Sequence, residues 1–554
     1  MLAVSVVVQA LAMALPAAGL AQTVEDLRHL SIEDLANIEV TSVSRRPEPL
    51  NRAPAAVYVI TAEDIHRSGA NSIPEALRLA PNLTVARLNA YNYTVTARGF
   101  NSPESANKLL VLVDGRSVYS PLAATVFWES VDVALADVER IEVVSGPGGT
   151  LWGANAVNGV INIITRHTRD TQGLMVETGV GNLDRHGTVR YGGRLGDRGT
   201  YRIYATGFDR PSTDRVARDD ITTDAFHGVQ GGFRMDLARE DDAYTLQGDL
   251  YRNETAYLDM SLYGGNMLGR WTRRLGAGSS LHLQAYYDRK VRDYFVAKDT
   301  LETYDIQAQH NIKLGRNHNF VWGGGYRLWR SVFVSKSVFH FADPTATPSV
   351  GSIFAQDEIA LRPDLMLTLG LKIENSSYTG IDYLPNLRLA WQLNDDHLLW
   401  AAVSRAVRTP SRIDRELEAP VILVPSPGFR AEELTAYEIG YRGQPTPRTS
   451  LSVSAFYNVY DDLRTTGSTA GRLPLMLRND LAGETYGMES WGSYDVNDRW
   501  RLHAGVSWLH KDLRLEPGTD DISNMQAAGQ DPVYQVQLRS EMDLAPGLEL
   551  DLRL

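Results

Sequence analysis

Beyond about residue 170 the chain keeps a two-residue rhythm that admits few folds. In 365–373, Leu365, Leu367, Leu369, Leu371 and Ile373 share one parity, while Met366, Thr368, Gly370 and Lys372 take the other. In 450–460, Leu451, Val453, Ala455, Tyr457 and Val459 oppose Ser450, Ser452, Ser454 and Asn458. LRLAWQL, RWRLHAGVSW and LHLQAYYD repeat the pattern. Alternation of this length makes a strand with two chemically different faces. The connections then separate a soluble sandwich from a membrane barrel. One set is tight: LGDRG (195–199), LGAG (275–278), LGRN (314–317), RPD (362–364), NDDH (394–397), VNDR (496–499) and APG (545–547). Those between them are mostly long and polar: 210–225, 331–349, 406–432, 461–482 and 511–532. Alternating short turns and long loops mark a barrel crossing an outer membrane. Lipid offers no partner to an unpaired strand edge, so the sheet has to close. The chain is therefore expected to be mainly β, with a large antiparallel transmembrane β-barrel over 172–554. About eighteen strands are expected up to residue 544, and a further one, GLELDLRL, runs to Leu554. Because that strand stops mid-way, the sequence is expected to be truncated at its C-terminus.

The N-terminal part has another grammar. Residues 1–21 carry no charged side chain and end in Gly19-Leu20-Ala21, the pattern of a secretory signal cleaved before Gln22. Residues 26–38 read as a short amphipathic helix. Over 51–168, helix and strand signals alternate. Thr61-Ala-Glu-Asp64 looks like a capping box with Gly69 as the stop, and Ser72-Ile-Pro-Glu75 repeats the device. LLVLVDG (109–115) is a buried strand entering a turn, VDVALADVER (131–140) is expected to be a helix, and IEVV and VINIIT are strands. These elements predict a compact α+β domain. The chain has no cysteine, which excludes disulfides and thiolate metal sites. Its 67 acidic against 55 basic residues make it a poor partner for nucleic acid. Tyrosine (25) outnumbers phenylalanine (13), and there are 10 tryptophans, as suits surfaces that are half apolar and half wet. Trp391, Trp500 and Trp508 read as interfacial girdle residues.

Residues 145–165, SGPGGTLWGANAVNGVINIIT, pose the choice between a phosphate cradle and a packed turn. No Gly-Lys-Ser/Thr closes the loop, Leu151 stands where a dinucleotide fingerprint needs glycine, and no lysine or arginine lies between 141 and 165. The glycines are expected to serve tight folding and close packing, with Trp152 filling a core.

This stretch resembles the end of the plug domain of TonB-dependent outer-membrane receptors. ARGF (97–100) and VLVDGRSVY (111–119) resemble earlier plug motifs, and VYVITAEDI (57–65) the first plug strand and helix. IEVTSVSRRPEPL (38–50) resembles the energy-coupling box and its linker, and RAVRTPS (405–411) a recurrent barrel motif. The resemblance implies a 22-stranded barrel family, with about 18–19 strands in this chain and the α+β domain as a plug inside the lumen. It implies a segment over 22–50 with the TonB box at about 38–44, a location in the Gram-negative outer membrane, and active uptake of a scarce chelate. A ferric siderophore is the expected ligand; cobalamin, haem or a glycan are alternatives on the same architecture, and a passive porin is the alternative of another class. The partners implied are TonB of the inner-membrane complex, a small metal chelate and the lipopolysaccharide bilayer. No cofactor or resident metal is expected, since any iron(III) travels in the ligand.

Glu39, Val40, Thr41, Ser42 and Val43 are the expected coupling residues, an extended, unpaired stretch open to strand addition. Arg98, Glu139, Arg140 and Glu142 are candidate plug-to-barrel contacts. By position in the resemblance, Asn89, Tyr91, Asn92, Tyr93, Tyr119, Phe127 and Trp128 lie on apical plug loops and are candidate ligand contacts; Phe127 and Trp128 also fit a core pair. Arg408, with Arg412 and Arg415, is a candidate attractor for an anionic chelate. The twelve histidines show no His-Glu-x-x-His and no triad can be assembled, so no enzyme is expected.

Overall fold

A computed structural model describes residues 38–554 apart from 132, 214–223, 256–259, 277 and 470–471. The expected signal sequence and all but the last residue of the 26–38 helix lie outside the described residues. From Gly173 onward the chain forms one 21-stranded sheet in which sequence order is almost spatial order. Two members are two-residue additions, Thr345–Ala346 and Leu423–Val424; the other nineteen, from Gly173–Val180 to Leu548–Arg553, pair antiparallel with their neighbours. The first and last strands are not paired with one another among the described residues.

Side-chain parity follows the sequence reading. In Gly380–Asn394, Leu384, Asn386, Arg388 and Ala390 are buried inward, while Tyr383, Leu387, Leu389, Trp391 and Leu393 stand exposed outward. In Leu365–Ser376, Leu369 and Leu371 face out, and Thr368, Lys372 and Glu374 are buried inside. An apolar exterior around a polar interior suits a cylinder in lipid. Aromatic side chains mark an interface: Tyr437, Tyr457, Tyr486 and Trp508 follow one another across four adjacent strands, with ring centroids 6.3, 6.4 and 5.9 Å apart. Near the tight turns, the Trp391 indole donates to Asp364 at 3.1 Å.

The expected tight turns are present, except that the one over 275–278 includes residue 277, which lies outside the described residues. The loops differ in two ways. The connections 180–185, 293–297 and 376–380 are short on the long-loop side. The expected loop over 461–482 is instead the tip of a hairpin whose strands, Thr449–Thr469 and Arg472–Asn497, run 21 and 26 residues. Cross-strand pairing continues through Thr465 and Thr466 on the first strand, opposite Arg478 and Leu477 on the second, and holds strand conformation where polarity alone suggested a loop.

The N-terminal domain fills the lumen. Its five-stranded sheet runs in the order Ala56–Thr61, Val138–Ser145, Gly159–Thr165, Leu109–Val113, Arg116–Ser117, with one parallel pair, Leu109–Val113 on Gly159–Thr165. One face buries Ile60, Val111, Trp128, Ile141, Val143 and Ile161 with the helices Ala62–Ser68 and Ile73–Leu77. Thr61 and Asp64 form the reciprocal capping box, and Gly69 closes the helix at φ 64°. Ser72 sits at the N-cap of the next helix without a side-chain capping bond. The helix expected at 131–140 does not form. A single 3-10 turn, Leu135–Asp137, leads into the strand at Val138, because the Asp137 carboxylate is held by Arg190 (2.6 Å) and Arg202 (3.1 Å) of the barrel wall. Tertiary pairing overrides a helix signal already weakened by valines.

Candidate functional site

The segment 38–50 is folded, not extended and free. Glu39 and Val40 pair with Pro49 and Glu48, and the Arg45 amide donates to Thr41 O at 2.9 Å, so the chain loops back on itself. Val40 and Val43 are buried among Val57, Leu110, Leu112, Val144 and Val160 on the second face of the plug sheet. Each buried valine contributes about 1.5–3 kcal/mol. Between them, Glu142 takes over the polar groups. Its wholly buried carboxylate accepts from Thr41 N (3.0 Å), Ser42 N (2.8 Å) and Ser42 Oγ (2.5 Å). The Trp152 indole donates to Ser42 O at 2.8 Å, and Gln309 of the barrel to Arg45 O at 2.9 Å. Arg46 pairs with Glu358. Burial, followed by the charge of Glu358, pushes the Glu48 carboxyl up to about 7. In this state the amides of Thr41 and Ser42 are taken up by Glu142, and Glu39–Val40 is paired along one edge by Glu48–Pro49.

Of the candidate plug-to-barrel contacts, Arg98 reaches the barrel. Its guanidinium, fully buried, pairs with Glu438 (2.7 Å) and Glu489 (3.2 Å) and lies 4.3 Å from the Phe456 ring. Glu139, Arg140 and Glu142 pair among themselves instead: Arg140 bridges Glu139 and Glu142, the latter at 3.0 Å. They sit on the strand Val138–Ser145, from which the Glu142 side chain reaches Thr41 and Ser42 and not the wall. Contacts absent from the sequence reading carry the rest of the interface. Lys108 pairs with Glu432 (2.5 Å) and Glu129 with Arg292 (2.8 Å), and Arg116 pairs with Asp288. Arg442 donates to four plug carbonyls, those of Leu50, Ala53, Ala55 and Val57, at 2.8–3.2 Å. No spacing in the sequence links these pairs; only the inward parity of the barrel charges hinted at them.

The glycine-rich loop is part of the same interface. Ala154 N donates to Glu374 at 2.7 Å, Asn155 N to Val407 O at 2.8 Å, and Thr150 Oγ1 to Leu384 O at 2.8 Å. Thr409 N, in the RAVRTPS motif, donates to Asn155 Oδ1 at 3.1 Å. Gly146 (φ 91°) and Gly153 (φ 92°) adopt left-handed backbone, and a Cβ at either would overlap the carboxylate of Glu438 or Glu374. The loop also contains one helical turn, Gly149–Trp152. Trp152 is half-buried, with the Arg45 guanidinium 4.5 Å from its ring.

The candidate ligand residues are mostly committed elsewhere. Asn89 turns the apical loop by accepting from Tyr91 N (3.0 Å) and Asn92 N (2.8 Å), with Asn92 half-buried. Tyr91 packs on Phe226 of the barrel at 5.5 Å. Tyr93 is buried and donates to Glu75 at 2.9 Å. Tyr119 is buried beside Val57 and Leu112, and burial raises its phenol well above the ordinary value. Trp128 belongs to the plug core, while Phe127 lies under Arg292 of the wall at 3.5 Å, so the two are not a core pair. Arg408 is fully buried between Asp414 and Glu432, 2.9 Å from each, and so is not a loop attractor. Arg412 is fully buried as well, stacked 4.1 Å from Phe341. Burial fixes these arginines because an unpaired guanidinium in the interior costs more than its pairing returns. Asp64, His503 and Glu541 approach one another closely enough to hold a metal, but Arg539 already bridges Asp64 (2.6 Å) and Glu541 (3.1 Å).

A lipid-facing cylinder stoppered by an ion-paired α+β domain defines the class: a plugged β-barrel of the Gram-negative outer membrane. Residues 49–160 match the family profile described as TonB-dependent Receptor Plug Domain, and 167–540 that of TonB dependent receptor-like, beta-barrel. The chain belongs to the TonB-dependent receptors, a family of transporters and receptors, not enzymes. It is 25% identical over 449 residues to the Vitamin B12 transporter BtuB of Vibrio vulnificus, covering 76% of this chain and 70% of the relative. It is 24% identical over 469 residues to the Ferric enterobactin receptor of Pseudomonas aeruginosa, covering 67% and 61%. The chain spans roughly 60–70% of the length of the curated relatives it matches. The crystal structure of the siderophore receptor PirA from Acinetobacter baumannii shares the fold, with TM-score 0.76 at 17% identity over 90% of this chain and 85% of that one.

Proposed function

We propose that the protein imports a ferric siderophore across the outer membrane, driven by TonB acting on residues 39–43. The observation that carries this reading is the stowed segment. A stretch held by Glu142, Trp152 and two buried valines, upstream of an anchored plug, is built to be released and grasped, which a passive pore does not need. Once freed, Val40 to Val43 offer the sparsely charged backbone edge that strand addition requires. Relatives named as cobalamin and as enterobactin proteins resemble this chain equally at the level of identity, so cobalamin is the second reading. Growth on a panel of ferric siderophores, and on cobalamin in a cobalamin-requiring host, separates the two. Val43→Pro should abolish energised uptake while leaving binding at the cell surface. Uptake undiminished by that substitution would refute coupling through this segment.

A further inference from the structure

Beyond the transport reading, we propose that the periplasmic rim of the barrel carries a seat for anionic phospholipid headgroups of the inner leaflet, built on the four tight turns between residues 194 and 317.

Charge on that rim is unevenly distributed. Arg194 and Arg198 flank the first tight turn, and Arg239 opens the second. Arg273 and Arg274 precede the third, and Lys313 and Arg316 belong to the fourth. Against these seven cations stand four acids, Asp197, Glu240, Asp241 and Asp242. The next four turns, 362–364, 394–397, 446–449 and 496–499, carry three cations and four acids. The surplus therefore lies on one arc of an otherwise acidic chain. Two of its cations are partnered: Arg273 lies 3.9 Å from Asp242, and Arg274 3.3 Å from Asp241. The other five are exposed and make no salt bridge among the described residues.

The arc is also rigid, because a backbone hydrogen bond stitches each turn to the next. Ala238 N donates to Arg198 O at 2.9 Å, Arg274 N to Asp241 O at 2.9 Å, and Lys313 N to Gly278 O at 2.8 Å. Successive turns are two strands, or about 10 Å, apart, a spacing comparable to the width of one phospholipid headgroup. Each turn sets an apolar anchor beside its cations: Leu195, Leu237, Leu275 and Leu314 are exposed within two residues of an arginine or lysine. Arg239 shares the outward parity of Leu237, and Arg273 that of Trp271, whose indole donates to Asp242 at 2.8 Å. A tryptophan so placed stands where acyl chains give way to headgroups. Leucines in the acyl layer and cations one step beyond it match an acyl body with a phosphodiester head. A protein grasping the coupling segment meets another part of the rim. Ile38 O accepts from Leu50 N at 2.9 Å, and Leu50 O from Arg442 at 2.8 Å, so that segment starts against the strand Glu432–Thr446, outside the arc.

The absence of cysteine allows a local probe in the intact protein. A fluorophore on Leu314→Cys, in phosphatidylethanolamine vesicles, is quenched by whichever dibrominated lipid sits beside it. One cation at a membrane surface favours an anionic lipid by about fivefold. Dibrominated phosphatidylglycerol should therefore quench at a mole fraction about fivefold lower than dibrominated phosphatidylethanolamine, and the advantage should shrink as salt rises. Lys313→Gln with Arg316→Gln removes two unpaired cations without stranding a carboxylate, and should abolish the preference. A fluorophore on Leu393→Cys, beside Asp395 and Asp396, should show none. Inorganic phosphate at constant ionic strength should leave the preference intact. Equal quenching by the two lipids at 314 overturns the proposal and leaves the arc to a soluble acidic partner. An equal preference at 393, a preference that survives the double substitution, or one displaced by inorganic phosphate overturns it as well.

Discussion

Glu142→Gln isolates the latch from everything else the plug does. One carboxylate oxygen of Glu142 accepts from Thr41 N, Ser42 N and Ser42 Oγ, and the other from Arg140 Nε. A glutamine fills the same volume but has one acceptor, so whichever way the amide turns, a donor faces donors. Hydrogen bonds to a charged group are worth about 1.5–3 kcal/mol each, and an unmet buried donor carries its own penalty. Part of this is recovered by the remaining carbonyl, which leaves a net loss of about 2–3 kcal/mol. At 1.4 kcal/mol per decade, the ratio of released to stowed segment should rise ~30- to ~150-fold. A nitroxide on Glu39→Cys reads this directly, since Glu39 is exposed and the chain has no other cysteine. The ratio of mobile to immobilised line should rise ~30- to ~150-fold in the Glu142→Gln background, with no ligand added. Glu139→Gln, which alters a carboxylate paired with Arg140 outside the latch, is the control. If the label stays as immobile as in the parent, or Glu139→Gln frees it equally, Glu142 does not hold the segment.

Arg98→Ala strands Glu438 and Glu489 as buried, unpaired carboxylates and should cost the plug about 3–5 kcal/mol, read as protease sensitivity of the N-terminal domain with the barrel's heat-modifiable migration intact; adding Glu438→Gln and Glu489→Gln should restore much of the resistance. Glu48, raised from 4.5 to about 7 by burial, stabilises the stowed state while neutral. That contribution is complete below about pH 4.5 and is lost as pH rises through 7, so the Glu39→Cys label should be more mobile at pH 8 than at pH 5.5, and Glu48→Gln should flatten the profile. Gly153→Ala places a Cβ on left-handed backbone against Glu374, and should lower the melting temperature of the plug without changing barrel assembly.

How far the sequence carried these conclusions depended on the range of the force responsible. Side-chain parity is local, so the lipid and lumen faces of 365–373 and 450–460 could be read directly, as could the tight turns. The Thr61–Asp64 capping box closes within four residues and was equally plain. What failed were segments whose conformation is decided across the lumen. The 131–140 stretch gave up its helix to Arg190 and Arg202, and Arg408, which looked like an exposed loop charge, was drawn inside by Asp414 and Glu432.

The coupling segment shows the same limit at the point that matters most. Its composition, sparsely charged and β-prone, does describe a strand available for pairing, which is what the proposed released state requires. In the stowed state the same valines complete the plug core, and the amides that strand addition would use are occupied by Glu142, 100 residues away along the chain. Both states use the same apolar side chains and backbone donors, so composition cannot tell them apart. On the proposed reading, the difference lies in a single buried carboxylate, and in whether a force applied to residues 39–43 would exceed what that carboxylate and two buried valines hold while Arg442 keeps its four bonds to the carbonyls of Leu50, Ala53, Ala55 and Val57.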